Sequence, residues 1–119
     1  MSFEKKYDLE DRTERFSLRV RDLCRLLKKD IINREYILQL IRSAASIGAN
    51  YIEANDKLGE KDLRFRIRIS KKEAKETKYW LKHILTYDVD ELEEERLLLF
   101  QEADELMKIF AAILRKLGD

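Results

Sequence analysis

The spacing of apolar residues constrains the fold most, because it repeats at steps of three and four positions in four separate segments. Such a repeat places the apolar side chains on one face of an α-helix. No segment alternates with the period of two that a half-buried strand requires. Proline is absent and charged residues make up 41% of the chain, which favours long helices with solvated faces. The clearest predicted core face, in the third segment, comprises Leu63, Ile67, Ser70, Ala74, Thr77, Leu81 and Ile84.

The repeats predict four helices, over residues 9–28, 34–55, 60–86 and 90–117. Asp8 is the expected N-cap of the first, and the second is expected to begin just after Asn33. Asp90 and Glu93 have the spacing of a capping box at the start of the fourth helix, which Gly118 should end. Connections of about four or five residues favour antiparallel neighbours. We therefore predict a single all-α domain over residues 1–119, an antiparallel up-down-up-down four-helix bundle.

The second predicted helix combines a wide apolar face with a run of small residues, RSAASIGANYIEA at 42–54. Gly48 costs about 1 kcal/mol relative to Ala in a helix interior, so a close contact with a neighbouring backbone is expected there. The alternative is a recess in which Arg42, Asn50 and Glu53 bind a partner. The residues predicted on the wide face are Ile37, Leu40, Ile41, Ala44, Ala45, Ile47, Gly48, Tyr51 and Ile52.

No combination of residues predicts catalysis, a metal or a cofactor. His83 is the only histidine and Cys24 the only cysteine, so neither a multi-histidine metal site nor an internal disulfide is possible. We expect His83 at the surface or in packing, and Cys24 as a small buried apolar residue. No apolar stretch is long enough for a membrane span, and the first residues are too charged for a signal peptide. The sequence predicts a non-enzymatic cytoplasmic protein without a small-molecule substrate.

Positive charge is concentrated on one face of the third predicted helix. Residues 57–82 contain ten Lys or Arg against four acids, whereas residues 88–105 contain nine acids and one Arg, although the net charge is only +1. Eight of these cations recur at steps of four and three and share one helical face. We call them the basic stripe: Lys57, Lys61, Arg64, Arg68, Lys71, Lys75, Lys78 and Lys82.

The basic stripe has two interpretations. In a hairpin with the fourth helix, its upper half (Lys71, Lys75, Lys78 and Lys82) passes the levels of Glu91, Glu95, Glu102 and Glu105, which predicts interhelical charge pairs. Its lower half, Lys57, Lys61, Arg64 and Arg68, meets no acid on that helix and is the candidate surface for RNA or DNA phosphates. An acidic protein partner, with no nucleic-acid role, is the alternative occupant.

Large apolar residues also lie outside the predicted core faces. So many on a small monomer favour self-association, which would bury them. Leu18 and Leu26 on the first helix are examples. The candidate oligomer interface comprises Phe65, Ile69, Trp80, Leu97 and Leu98.

The runs DIINREYILQLIRSAASIGANYIEAN at 30–55 and KDLRFRIRISKKEAKETKYWLKHIL at 61–85 resemble the 23S rRNA intervening-sequence protein family, also called the four-helix bundle protein family. The resemblance implies a bacterial four-helix bundle, commonly a ring-shaped homopentamer, with no established catalytic residues. A related branch includes the accessory variability protein of diversity-generating retroelements, which works beside a reverse transcriptase and nucleic acid. The matching motif residues are Ser46, Ile47, Ala49 and Asn50, then Glu73, Ala74, Glu76, Tyr79, Trp80 and Leu81.

Overall fold

The computed structural model describes residues 2–56 and 59–118, with side chains for 9–56 and 59–118. This part of the chain contains four helices and no strand: α1 (Ser2–Leu26), α2 (Ile31–Asn55), α3 (Glu60–His83) and α4 (Asp90–Lys116). Each helix packs against two neighbours, and α4 returns to α1. Contacts join the start of one helix to the end of its neighbour, as between Arg64 and Leu117. The predicted antiparallel four-helix bundle is confirmed.

The core comes directly from the apolar periodicity. Phe16, Leu40, Ile67 and Leu106, one from each helix, are at most 2% exposed. Burying an apolar side chain of this size contributes roughly 1.5–3 kcal/mol. Cys24 is also buried, and desolvation raises the pKa of its thiol to about 11. Its predicted role as a small buried apolar residue is therefore confirmed.

The starts of the first two helices differ from the prediction. α1 begins at Ser2, so the prediction of Asp8 as its N-cap is wrong. Asp30 caps α2, because its Oδ1 accepts a hydrogen bond from the Asn33 backbone N–H at 2.8 Å. Asn33 lies inside the helix, fully buried, where its side chain donates to the carbonyl of Leu85 and accepts from the Leu85 N–H. Asn33, which was predicted to precede α2, thus hydrogen-bonds the first turn of α2 to the loop that follows α3.

The capping box predicted for α4 is also wrong. Asp90 is the first helical residue, and the N-cap position is Val89, which provides no side-chain cap. Glu93 instead accepts a hydrogen bond from Thr86 Oγ1 at 2.9 Å. Gly118 follows the C-cap with a φ of 85°, a left-handed conformation that glycine adopts without strain. The predicted end of the helix is confirmed.

Gly48 lies where α1 and α2 approach each other closely. A Cβ built on it would lie 2.9 Å from Thr13 Oγ1 and 3.1 Å from Thr13 Cβ. The close packing expected from the sequence is confirmed, but its nearest atoms belong to the Thr13 side chain, and the Thr13 backbone carbon lies 3.7 Å away. The wide apolar face of α2 nevertheless extends beyond the core, because Ile41 and Ile52 are 40% and 47% exposed.

Candidate functional site

Two acids in the middle of α3 lie on its flank towards α2. Glu73 and Glu76 face α2, where with Arg42 and Ser43 they line a cavity of about 40 Å³. Burial raises the pKa of Glu73, and a hydrogen bond with Glu76 raises it further. Arg64 and Lys78 contact α4, whereas Arg66 donates a hydrogen bond to Asn50 of α2. Glu73 and Glu76 therefore lie away from the basic stripe, whereas Glu60 in the first turn of α3 lies 3.7 Å from Arg64.

The charge pairs predicted for the upper half of the basic stripe are wrong in their partners. Glu95 binds Arg19 at 2.8 Å, and Glu102 binds Arg12 at 2.7 Å, both across the α1–α4 contact. Glu105 also lies near Arg12, at 3.6 Å. These acids form a row on the flank of α4 that faces α1, so they are turned away from α3.

Among the described residues, Lys78 is the one cation of the upper half that forms a salt bridge with α4. Lys78 Nζ lies 2.7 Å from Asp104 Oδ1, and Lys108 binds the other oxygen of that carboxylate at 2.9 Å. These two ammonium groups hold the pKa of Asp104 below its usual value. Lys78 and Lys82 also lie 5.4 Å from the ring centroid of Phe100. Asp104 is therefore shared by Lys78 of the basic stripe and Lys108 of α4.

The residues in the lower half of the basic stripe have different environments. Lys57 lies outside the described residues. The Arg64 guanidinium turns towards α4 and donates two hydrogen bonds to the Leu117 carbonyl, at 2.8 and 3.2 Å. This cation offsets the negative C-terminal end of α4. Lys61 and Arg68 are exposed.

A second, more exposed row on α3 was missed in the sequence. Seven residues at steps of four and three are all exposed, and none is acidic. At 1.5 Å per residue the row is about 32 Å long. Phe65 and Tyr79, 52% and 53% exposed, interrupt its cations. A search for cations alone overlooked these rings. We call this set the α3 outer row: Lys61, Phe65, Arg68, Lys72, Lys75, Tyr79 and Lys82.

An aromatic cluster supports the upper end of the α3 outer row. The Tyr79 ring lies 4.2 Å from the His83 ring and 4.9 Å from the Trp80 ring, measured between centroids. Trp80 in turn packs against Tyr36 of α2. His83 Nδ1 lies 2.7 Å from the Tyr79 carbonyl oxygen, and because a carbonyl can only accept, Nδ1 is the donor. The packing role predicted for His83 is confirmed.

The three residues of the predicted recess are not brought together. Arg42 donates to Gln39, and Glu53 is exposed. Asn50 donates to the Ser46 carbonyl at 2.9 Å and accepts from an Arg66 N–H at 3.0 Å. The Asn50 amide therefore joins α2 to α3, which favours the packing interpretation of this segment.

The predicted oligomer interface is scattered over several faces. Phe65, Leu97 and Leu98 are 52%, 55% and 47% exposed, whereas Ile69 and Trp80 are partly buried within the monomer. A more continuous apolar surface lies on α2, where Ala45 and Ala49 are also exposed. It was missed because part of it was assigned to the core. We call it the α2 strip: Ile31, Leu38, Ile41 and Ile52, which are 81%, 64%, 40% and 47% exposed.

Two features are absent from the described part of the chain. Residues 9–56 and 59–118 contain no group of three or more His, Cys, Asp or Glu side chains placed to hold a metal ion. None of the four described helices has the length and apolar character needed to cross a membrane.

Comparisons with known proteins agree with this architecture. A family model described as 23S rRNA-intervening sequence protein matches residues 5–112. A crystal structure of a protein with unknown function from the S23 ribosomal protein family of Bacteroides thetaiotaomicron is similar, with 25% identity and a TM-score of 0.73. The match covers 93% of this chain and 98% of that one. Neither description names an enzymatic activity. No curated protein matches the chain.

Proposed function

This chain belongs to the 23S rRNA-intervening sequence protein family, and we propose that it is a non-enzymatic, self-associating adaptor that binds nucleic acid through the α3 outer row. The row replaces the lower half of the basic stripe as the centre of the candidate surface. Lys61 and Arg68 belong to both sets, whereas Arg64 hydrogen-bonds the Leu117 carbonyl at the end of α4. Lys57 lies outside the described residues.

The observation that carries the proposal is the exposure of three lysines of the α3 outer row. Lys61, Lys72 and Lys75 are exposed and form no salt bridge with any described side chain. On α4, Glu95 and Glu102 are occupied by α1 arginines, and Asp104 is occupied by Lys78 and Lys108. Aligning like charges on one helix destabilises it, and phosphate groups would offset that cost while releasing counterions.

Salt-dependent titrations test the proposal. Binding to labelled RNA or DNA should weaken log-linearly with salt, with a slope of up to about −3.5 if all five cations of the row contact a single strand. Replacing Lys72 and Lys75 with Glu should abolish binding at about 150 mM salt. The matched control replaces Arg25 and Lys28, exposed at the end of α1, with Glu. It changes the net charge equally and should retain most of the affinity.

Two outcomes would overturn this proposal. If the wild-type protein binds no RNA or DNA at about 50 mM salt, where phosphate contacts are strongest, the nucleic-acid role fails. A protein-interaction scaffold, in which the row contacts an acidic protein, then takes its place. If the α1 control loses as much affinity as the α3 variant, binding follows net charge rather than the row.

The self-association in this proposal is supported by the α2 strip. From Ile31 to Ile52 it extends about 32 Å along one helix, and its members keep much of their apolar surface exposed. Burying such surface against another copy stabilises an assembly by roughly 25 cal/mol per Å². The family resemblance implies a pentamer. The roles of Leu97 and Leu98 at an interface stay a prediction.

Light scattering tests the self-association. A mass near 14.3 kDa at micromolar concentration would contradict it. Replacing Leu38 and Ile41 with Glu should shift an oligomer towards the monomer. The control is Leu26→Glu, since Leu26 is 70% exposed on α1, outside the α2 strip. An assembly that is unchanged by the α2 variant would place the interface elsewhere.

A further inference from the structure

The α3 outer row carries aromatic rings as well as cations. We infer that its ligand is a single-stranded nucleic acid whose unpaired bases stack on Phe65 and Tyr79 while Arg68, Lys72 and Lys75 contact the phosphates between them. This inference rests on the proposed nucleic-acid function and specifies the class of partner.

The placement of the two rings supports this arrangement. Phe65 and Tyr79 are 14 positions apart in one heptad row, which corresponds to about 21 Å along the helix. The three cations lie between them at the same alternating spacing, and Lys61 and Lys82 lie beyond them. A strand that runs along the row therefore meets a ring near each end and positive charge along its whole length.

The exposure of the two rings also needs an explanation. Aromatic side chains of this size are usually buried or at interfaces, yet both are about half exposed. The Tyr79 ring is positioned by its contacts with His83 and Trp80, and the Arg66 guanidinium lies 5.9 Å from the Phe65 ring centroid. A ring that is already positioned loses little conformational entropy when a base stacks on it.

The combination of exposed rings and cations in the α3 outer row favours a single strand over a duplex. Proteins that bind single strands without sequence preference combine a basic track with aromatic stacking platforms. In a duplex the bases are already stacked and paired, so the rings gain no base contact and the cations alone bind the phosphates. The α3 outer row should therefore prefer unpaired nucleic acid, with little dependence on base sequence.

Three ligands of equal length separate the contribution of base stacking from that of phosphate contacts. We would titrate the full-length protein with an oligothymidylate of about 12 nucleotides, which spans about 40 Å even when fully stacked, an abasic oligomer with the same phosphates, and a duplex. The wild-type protein should bind the oligothymidylate about a hundredfold more tightly than the abasic oligomer, since stacking on each of the two rings contributes roughly a factor of ten or more.

Paired substitutions keep side-chain bulk while removing the ring. Phe65→Leu and Tyr79→Leu should each weaken oligothymidylate binding by about tenfold and leave abasic binding unchanged. Phe65→Tyr and Tyr79→Phe retain the ring and should retain affinity. Circular dichroism on all four variants checks that the helices are intact.

The outcomes distinguish this inference from the function on which it rests. Equal affinity for the oligothymidylate and the abasic oligomer, or ring-free variants that bind as tightly as their ring-retaining pairs, would overturn the stacking inference while phosphate binding stands. A preference for the duplex would overturn it as well. If none of the three ligands binds, the proposed function itself fails.

Discussion

Replacing Gly48 with Ala tests the close contact between α1 and α2. The added Cβ would lie 2.9 Å from Thr13 Oγ1 and 3.1 Å from Thr13 Cβ, so the two helices must separate by a few tenths of an ångström. Overpacking of this kind typically costs about 1–3 kcal/mol, whereas exchanging Gly for Ala in a helix gains about 1 kcal/mol. We expect a net loss of about 1 kcal/mol in the free energy of unfolding.

Thermal unfolding followed by circular dichroism measures this balance. The expected loss lowers Tm by about 4 °C for a domain of this size. Ala49→Gly, at the exposed neighbouring position, measures the propensity contribution in the same helix without the steric contact. Thr13→Ala removes the atom at 2.9 Å and should relieve part of the cost in a double variant.

Two results would contradict a close contact at Gly48. If Gly48→Ala raises Tm by as much as Ala49→Gly lowers it, no close approach exists at this position. A larger side chain extends the test, because Gly48→Leu should destabilise the protein far more than Ile47→Leu, a shape change that usually costs less than about 1.5 kcal/mol. Equal melting temperatures for those two variants would also contradict the structure.

Three further outcomes are expected. Arg64→Ala should lower Tm and Arg64→Lys should lower it less, because only the lysine keeps a cation near the Leu117 carbonyl; equal values for both would show that the charge is unimportant. Asn33→Ala should cost about 2–4 kcal/mol, since it removes the side-chain hydrogen bonds to the backbone of Lys28 and Leu85 at roughly 0.5–1.5 kcal/mol each, and a loss below about 1 kcal/mol in urea unfolding would contradict these hydrogen bonds. Hydrogen bonding to Arg96 lowers the pKa of Glu93 from 4.5 to about 2, so its stabilisation is present above pH 4.5 and is lost as the pH falls towards 2. Glu93→Gln should therefore show a smaller fall in Tm between pH 5 and pH 2, and an unchanged fall would disprove the assignment.

The number, order and core faces of the helices follow from the sequence. The periodicity of residues such as Ile67 and Leu81 is a local property of the chain, and it requires the face on which they lie to be buried. The position of Gly48 indicated a close contact because glycine is unfavourable inside a helix without one. The residues at which helices begin were harder to predict from the sequence. Asp30 and Asn33 are both good capping residues, and only the path of the chain decides which one caps α2.

Only the tertiary structure decided how each helix is rotated about its own axis, and this rotation determines the candidate site. Glu95 and Glu102 lie at the same height along the bundle as cations of α3, yet they face α1 and bind its arginines. Arg64 finds its partner in a backbone carbonyl, which no pattern of side-chain charge reveals. Sequence spacing gives the height of a residue along a helix, whereas the flank that it shares with a neighbour depends on how all four helices pack together.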